Sequence, residues 1–154
     1  MLRISRGSSF RYNATMKTIL VADDEPMIRR LIQVNLEQAG YRVETAENGQ
    51  QAWERLQQGG IDLLITDVVM PIMDGLELLE TLKKSAEPLA SLPILVLAAR
   101  PNMPPLPVNE GQVATGEIPY LIKPCNPKVL LALVEKLFTS PTSASDVFVG
   151  YQYK

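Results

Sequence analysis

The chain has 154 residues, a formal net charge of -2 and a hydrophobic fraction of 46%, which together fit one globular domain with short extensions. It contains no histidine, so catalysis by serine–histidine or cysteine–histidine pairs, histidine metal sites and a phosphohistidine on this chain are all excluded. The single cysteine excludes an internal disulfide and most zinc sites, and it suits a reducing compartment. No apolar run reaches membrane-spanning length, and the charge gives no reason to expect nucleic-acid binding. We therefore expect a cytoplasmic protein without membrane or nucleic-acid contacts.

The two ends of the chain differ in composition from its middle. Residues 1–15 carry three arginines but no sustained apolar core, so they are not a convincing secretory signal. We predict that they are a disordered extension, or an artefact of cloning or of the assigned start, since Met16 directly precedes the first predicted strand. Residues 140–154 begin rich in serine and threonine and end in an aromatic stretch, so we predict a tail that either frays or pairs with a sheet edge. The predicted domain is residues 16–139.

Five short stretches of this domain have the composition of β-strands. Most are solid apolar runs, which suit strands covered by helices on both faces, and the second alternates apolar with polar residues. The predicted strands are residues 18–22, 41–46, 63–67, 93–98 and 120–123. Turn-forming residues flank them, and these favour strands over pieces of buried helix.

Helical patterns alternate with the strands. Between Met27 and Ala39 apolar residues recur at three- and four-residue steps, after Pro26 and before Gly40, which is typical of an amphipathic helix. Further helices are predicted from residue 49, from 75 to 84 with Leu76, Leu79 and Leu82 inward, and from 127 to about 138. This alternation predicts an α/β fold, a doubly wound five-stranded parallel sheet with helices on both faces.

One connection breaks the alternation. Residues 100–118 contain Pro101, Pro104, Pro105 and Pro107, and four prolines within seven residues forbid a regular helix there. We therefore expect the fourth helix to be reduced or replaced by a Pro-rich loop.

Charged residues follow three of the predicted strands. Asp23 and Asp24 end the first strand and Asp67 ends the third, and these strands lie side by side in a doubly wound sheet. Carboxylates this close repel one another, and a hard divalent cation relieves that repulsion. Lys123 brings a positive charge to the same edge. Cations beside an exposed carboxylate suit the transfer of a phosphoryl group onto an aspartate.

Three segments in this order resemble the receiver domain of two-component response regulators, over about residues 17–138. They are residues 21–25 (VADDE), residues 67–75 (DVVMPIMDG) and residues 120–124 (YLIKP). The resemblance implies a flavodoxin-like sheet with strand order 2-1-3-4-5. Each segment is common alone, but together they form a specific signal.

The resemblance also implies a role for each site residue. Asp67 would accept the phosphoryl group. Asp24, Asp67 and the backbone carbonyl of Val69 would bind Mg²⁺ directly, while Asp23 would hold a metal-bound water. Lys123 would contact the phosphoryl oxygens.

Three further positions concern the switch that follows phosphorylation. The resemblance makes Tyr120 the rotating aromatic residue and implies a cis bond before Pro124. Ala98 departs from the family, which usually has serine or threonine there to hydrogen-bond a phosphoryl oxygen. Alanine cannot donate, and one such bond to a charged group contributes on the order of 1.5–3 kcal/mol. Coupling of phosphorylation to Tyr120 is therefore in question.

The function that the resemblance implies is that of a single-domain response regulator. It would take a phosphoryl group from a sensor histidine kinase or a phosphotransfer protein and signal through protein contacts, because few residues follow the last helix. It would be no enzyme beyond self-catalysed phosphoryl transfer and hydrolysis. The downstream target is unknown, and a homodimer remains open.

Two other functions compete with this one. Ala98 and the Pro-rich loop favour a receiver-like interaction module that works without phosphorylation. A metal-dependent phosphatase with an aspartate nucleophile would need a second carboxylate two residues after Asp67, where Val69 stands.

Overall fold

The computed structural model describes residues 16–98, 120–123 and 125–139. Four predictions concern residues outside these ranges and stay predictions. They are the extension 1–15, the tail 140–154, the Pro-rich loop in place of the fourth helix, and the cis bond at Pro124.

Five strands form one parallel sheet in the order β2-β1-β3-β4-β5. The strands are β1 (Thr18–Ala22), β2 (Arg42–Ala46), β3 (Leu63–Asp67), β4 (Ile94–Ala98) and β5 (Tyr120–Ile122). Because the chain moves from β1 outward to β2 and then back past β1 to β3, the carboxyl ends of β1 and β3 become neighbours. The predicted fold class and strand order are confirmed.

Four α-helices lie within the described residues. They are α1 (Pro26–Gln38), α2 (Gly49–Leu56), α3 (Gly75–Lys83) and α4 (Pro127–Thr139), with a 3₁₀ turn at Leu89–Ser91. None of these described helices combines the length and the apolar character needed to cross a bilayer.

Side chains at the helix starts explain where two of these helices begin. Asn48 caps α2, because its side chain accepts a hydrogen bond from the Gln51 N–H at 2.8 Å. Asp74 and Glu77 form a reciprocal capping box at the start of α3, with distances of 2.8 and 3.0 Å. The helix α3 therefore begins at Gly75, eight residues after Asp67.

The sheet separates two apolar layers. Alternate residues of the central strands face opposite layers, so that Leu20 and Leu64 pack with α2 and α3, whereas Ile19 and Ile65 pack with α1 and α4. Because both faces are covered, β1, β3 and β4 are buried along their whole length. This explains why their sequences are apolar runs without alternation.

Two details of side-chain direction differ from the sequence-based predictions. In α3, Leu78 is fully buried and Leu76 only partly, because α3 packs against α2 as well as the sheet and so buries a wider arc. In β2, Val43 and Ala46 are buried on opposite faces, and Thr45 is exposed. As an edge strand, β2 is only partly covered on each face.

Candidate functional site

Two buried carboxylates meet at the carboxyl end of the sheet. Asp67 is the last residue of β3 and is 5% exposed, while Asp23 follows β1 directly and is fully buried. The parallel register pairs Ala22 with Thr66, so the residues that follow each of them are neighbours. Two acidic side chains at this depth require compensation, because burial disfavours their charged forms.

The compensation comes from the Lys123 ammonium group. Its Nζ lies 3.0 Å from Asp23 Oδ2, 3.1 Å from Asp67 Oδ2 and 2.8 Å from Glu25 Oε1. Only 10% of the lysine side chain is exposed. The Lys123 backbone N–H donates to the Ala98 carbonyl at 2.8 Å, which fixes the start of this side chain beside the end of β4.

Backbone groups hold the other carboxylate oxygens. Asp67 Oδ1 accepts the Val68 N–H at 2.8 Å, and Asp23 Oδ1 accepts the Glu25 N–H at 2.9 Å. Asp23 Oδ2 is different: it is buried and lies at ion-pair distance from Lys123, yet no described group gives it a well-aligned hydrogen bond. This oxygen retains acceptor capacity that a cation or a water molecule could use.

The acidic side chains are arranged as a group that could hold a metal ion. One carboxylate oxygen each from Asp23, Glu25 and Asp67 lie within 4.8 Å of one another. Hard divalent cations bind oxygen ligands of this kind. The incompletely satisfied Asp23 Oδ2 is the observation that makes this donor set fit a cation.

Burial and charge act in opposite directions on the two central groups. Burial, together with the negative charge of Asp23, raises the pKa of Asp67 to about 6 despite the nearby Lys123. Burial works to lower the pKa of Lys123, but its close contacts with the carboxylates of Glu25, Asp23 and Asp67 outweigh this and raise the pKa above its ordinary value. Lys123 therefore stays protonated, while Asp67 is a weaker acid than usual.

This raised pKa predicts a stability change with pH. Between the unfolded value of 3.8 and the folded value of about 6, the folded protein binds more protons than the unfolded one. The ionised Asp67 thus destabilises the fold as pH rises through this window. A shift of this size corresponds to about 3 kcal/mol. In metal-free buffer at pH 7.5, we expect Asp67→Asn to raise the free energy of unfolding by about 1–3 kcal/mol.

Urea denaturation at pH 7.5 and pH 4 checks this expectation. The increase in the free energy of unfolding caused by Asp67→Asn should be smaller at pH 4, because much of Asp67 is protonated there in the wild type. Glu54→Gln, an exposed change on α2, is the control and should leave stability nearly unchanged at both pH values. A loss of stability in Asp67→Asn at pH 7.5 would contradict the electrostatic argument.

The structure places the other predicted metal-binding residues around this group. Asp24 is exposed and is not part of the three-carboxylate group, whereas Glu25 is. Val69 follows Asp67 by two residues and is 64% exposed. The sequence analysis did not select Glu25 as a site residue. The feature that could have indicated it is its position directly before Pro26, because the chain turns across the edge of the sheet where this helix begins. The metal-binding roles of Asp24 and Val69 stay predictions.

Arg29 is a second residue that the sequence analysis missed. Its guanidinium group donates to the Asp23 backbone carbonyl at 2.6 Å and lies 4.0 Å from Glu47. It therefore links α1 to the end of β1 and holds the backbone that carries Asp23.

The proposed switch residues lie on β4, which adjoins the strand that Asp67 ends, and on β5, which adjoins β4. Ala98 ends β4 and is 5% exposed, and it pairs in register with Ile122. Tyr120 starts β5, opposite Val96, and is half-buried against the apolar layer formed with α2 and α3. Pro124 lies outside the described residues. The roles of Ala98 and Tyr120 stay predictions.

Comparison with known proteins identifies the family. Residues 19–135 match the model of the response regulator receiver domain. The chain belongs to the response regulator receiver family. It is 37% identical over 122 residues to the receiver protein CpdR of Brucella abortus, covering 79% of this chain and 97% of CpdR. The predicted family is therefore confirmed.

Solved structures of receiver domains are similar to this chain in both fold and sequence. The chemotaxis response regulator CheY4 of Vibrio cholerae has a TM-score of 0.69 and 33% identity, covering 80% of this chain and 99% of CheY4. TrrA of Thermotoga maritima, solved in complex with Mg²⁺ and BeF, has a TM-score of 0.66 and 36% identity, with coverages of 79% and 99%. The chain spans about half the length of two other curated relatives, 46% and 54%.

Proposed function

We propose that this receiver domain accepts a phosphoryl group on Asp67 from a phosphohistidine on a sensor histidine kinase or a phosphotransfer protein. It then signals through protein contacts. The observation that carries the proposal is the Lys123 ammonium group, 3.1 Å from Asp67 Oδ2 and 3.0 Å from Asp23 Oδ2, at the ligand-binding edge of the sheet. The free thiol of Cys125 suits a reducing cytoplasm.

The chemistry requires an ionised acceptor and a fixed positive charge. A carboxylate oxygen of Asp67 attacks phosphorus; the P–O bond forms as the P–N bond of phosphohistidine breaks. The imidazole leaves with the electron pair and takes up a proton. With a pKa of about 6, Asp67 is largely ionised at pH 7.5, and Lys123 stabilises the negative charge on the phosphoryl oxygens. The domain acts on itself here, so it is a phosphoacceptor and not an enzyme with a separate substrate.

Mg²⁺ is the proposed cofactor. Asp23, Asp24, Asp67 and the Val69 carbonyl would hold it, and the close approach of the Asp23, Glu25 and Asp67 carboxylates supports a cation here. When bound, Mg²⁺ would neutralise the carboxylates and the incoming phosphoryl oxygens. TrrA, a relative solved with Mg²⁺ and BeF, supports this choice of metal.

Intact mass after incubation with acetyl phosphate and Mg²⁺ tests the proposal. We expect a single phosphoryl adduct on the wild type that is absent when EDTA replaces Mg²⁺. Asp67→Asn should form none, because an amide is a poor nucleophile. Asp62→Asn is the matched control. The side chain of Asp62 accepts the Thr18 N–H just before the start of β3, so this variant should form the adduct normally. An adduct on Asp67→Asn, or none on the wild type, would refute the proposal.

One observation favours a second function, a receiver-like interaction module independent of phosphorylation. Ala98 presents a buried methyl group where the family has a hydroxyl, so a phosphoryl group would lack one donor. Under this alternative no adduct forms, and Asp67→Asn captures the same partners from a cell extract as the wild type.

A further inference from the structure

We propose that Glu25 is a positioning residue that occupies the Lys123 ammonium group in the unphosphorylated domain and releases it when a phosphoryl group reaches Asp67. This inference rests on the proposed function. It gives Glu25, which the sequence analysis did not select, a part in setting how readily the site takes a phosphoryl group.

The contacts of the Lys123 ammonium group are the first observation that supports this inference. Of the three N–H donors of the ammonium group, one is hydrogen-bonded to Glu25 and one to Asp67, and Asp23 Oδ2 lies 3.0 Å from Nζ as an ion pair. The contact with Glu25 is the shortest of the three, at 2.8 Å. A phosphoryl oxygen that needs a donor from Lys123 therefore has to compete with a carboxylate that is already bound.

Side-chain exposure identifies which of the three carboxylates can move away from Lys123. The side chain of Asp23 is fully buried and that of Asp67 is 7% exposed, whereas that of Glu25 is 59% exposed. Glu25 thus lies on the solvent side of Lys123, the side from which a phosphoryl donor approaches. Once released, its carboxylate is hydrated, whereas displacement of Asp23 would leave an unpaired buried charge.

The backbone restricts this release to a side-chain movement. The Glu25 N–H donates to Asp23 Oδ1 at 2.9 Å, and Glu25 directly precedes Pro26 at the start of α1. Rotation of the Glu25 side chain therefore breaks only the contact with Lys123, while the start of α1 stays in place. The negative charge of an arriving phosphoryl group also repels Glu25, which favours the same movement.

Two substitutions of Glu25 distinguish the effect of its direct contact with Lys123 from the effect of its negative charge. Glu25→Gln keeps the length of the side chain but removes its charge, so its bond to Lys123 becomes weaker. Glu25→Asp keeps the charge but is one methylene shorter, so it no longer reaches Nζ. If Glu25 competes by direct contact, both variants should bind a phosphoryl mimic more tightly than the wild type.

The experiment is calorimetric titration of full-length protein with beryllofluoride at saturating Mg²⁺. An exposed ion pair contributes up to about 1 kcal/mol, so we expect both variants to bind beryllofluoride about 3- to 5-fold more tightly. Glu80→Gln, exposed on α3, is the control and should match the wild type. Titration with Mg²⁺ alone, in parallel, should show that all variants are saturated with cation.

Three results would overturn the inference. Tighter binding by Glu25→Gln but not by Glu25→Asp would mean that charge at a distance matters and contact does not. Unchanged or weaker binding by both variants would mean that Glu25 does not compete, or that it helps to hold the cation. If the wild type itself binds no beryllofluoride, the proposed function fails, and this inference fails with it; in the first two cases the proposed function stands.

Discussion

Replacing Lys123 by methionine should lower the free energy of unfolding by about 3–5 kcal/mol at pH 7.5 in metal-free buffer. Methionine fills much the same volume, so the loss reports charge more than packing. Without the ammonium group, Asp23 and Asp67 are left as two buried negative charges at the same edge of the sheet. Burial and mutual repulsion already raise the pKa of Asp67, and removal of Lys123 raises it further.

Urea denaturation measures this loss, and two conditions should reduce it. Lowering the pH protonates the carboxylates, so the difference from the wild type should shrink toward pH 4. Adding Mg²⁺ at pH 7.5 should restore part of the stability, because a cation at the carboxylate group replaces the missing positive charge.

Lys84→Met is the matched control for this change. Lys84 is 79% exposed and lies 3.9 Å from Glu80, so its loss should change stability by less than about 0.5 kcal/mol. Equal losses in the two variants would contradict a special role for the buried ammonium group. Under the proposed function, Lys123→Met should also form little or no phosphoryl adduct, whereas Lys84→Met should form it normally.

Replacing Gly75 by alanine should destabilise the domain by about 3 kcal/mol or more and should disturb Asp67 directly. A Cβ at position 75 would overlap the backbone carbonyl oxygen of Asp67 and would lie 3.0 Å from the Val68 Cα. Both obstacles are backbone atoms, so no side-chain rotation relieves the clash. The Gly75 N–H also donates to the Val68 carbonyl at 2.8 Å, which keeps the start of α3 close to the end of β3.

Thermal or urea unfolding, together with the acetyl phosphate assay, measures both consequences. Gly40→Ala is the control. A Cβ added at position 40 would have no atom within 4 Å, but the φ of +100° at this position makes alanine strained. We expect Gly40→Ala to cost about 1 kcal/mol and to form adduct as the wild type does. If Gly75→Ala folds with wild-type stability, the close approach of α3 to Asp67 is not required. If it folds but loses adduct formation, displacement of Asp67 is the direct reason.

The arrangement of elements could be predicted because its causes are local. The apolar run 18–22 coincides with β1, and the pattern after Pro26 coincides with α1. Runs that are apolar at every position indicate strands buried on both faces, and in this sheet helices cover both faces. The family motifs likewise place Asp67 and Lys123 at strand ends. The direction of individual side chains, as in Leu78, was less predictable because it depends on which neighbours the helix contacts.

The amino-acid sequence alone determined the fold class, the family and the residues at the carboxyl edge of the sheet. Only the tertiary structure decided which of those residues meet. Lys123 and Glu25 are 98 positions apart, and their contact depends on how β1, β3, β4 and β5 align in the sheet. The sequence analysis selected Asp24, but the carboxylate group contains Glu25. The pattern of residues along a strand specifies where that strand ends, and so which residues lie at the edge of the sheet. Which carboxylate oxygens converge there depends on tertiary structure, because it is set by the start of α1 and by the position of the Lys123 ammonium group.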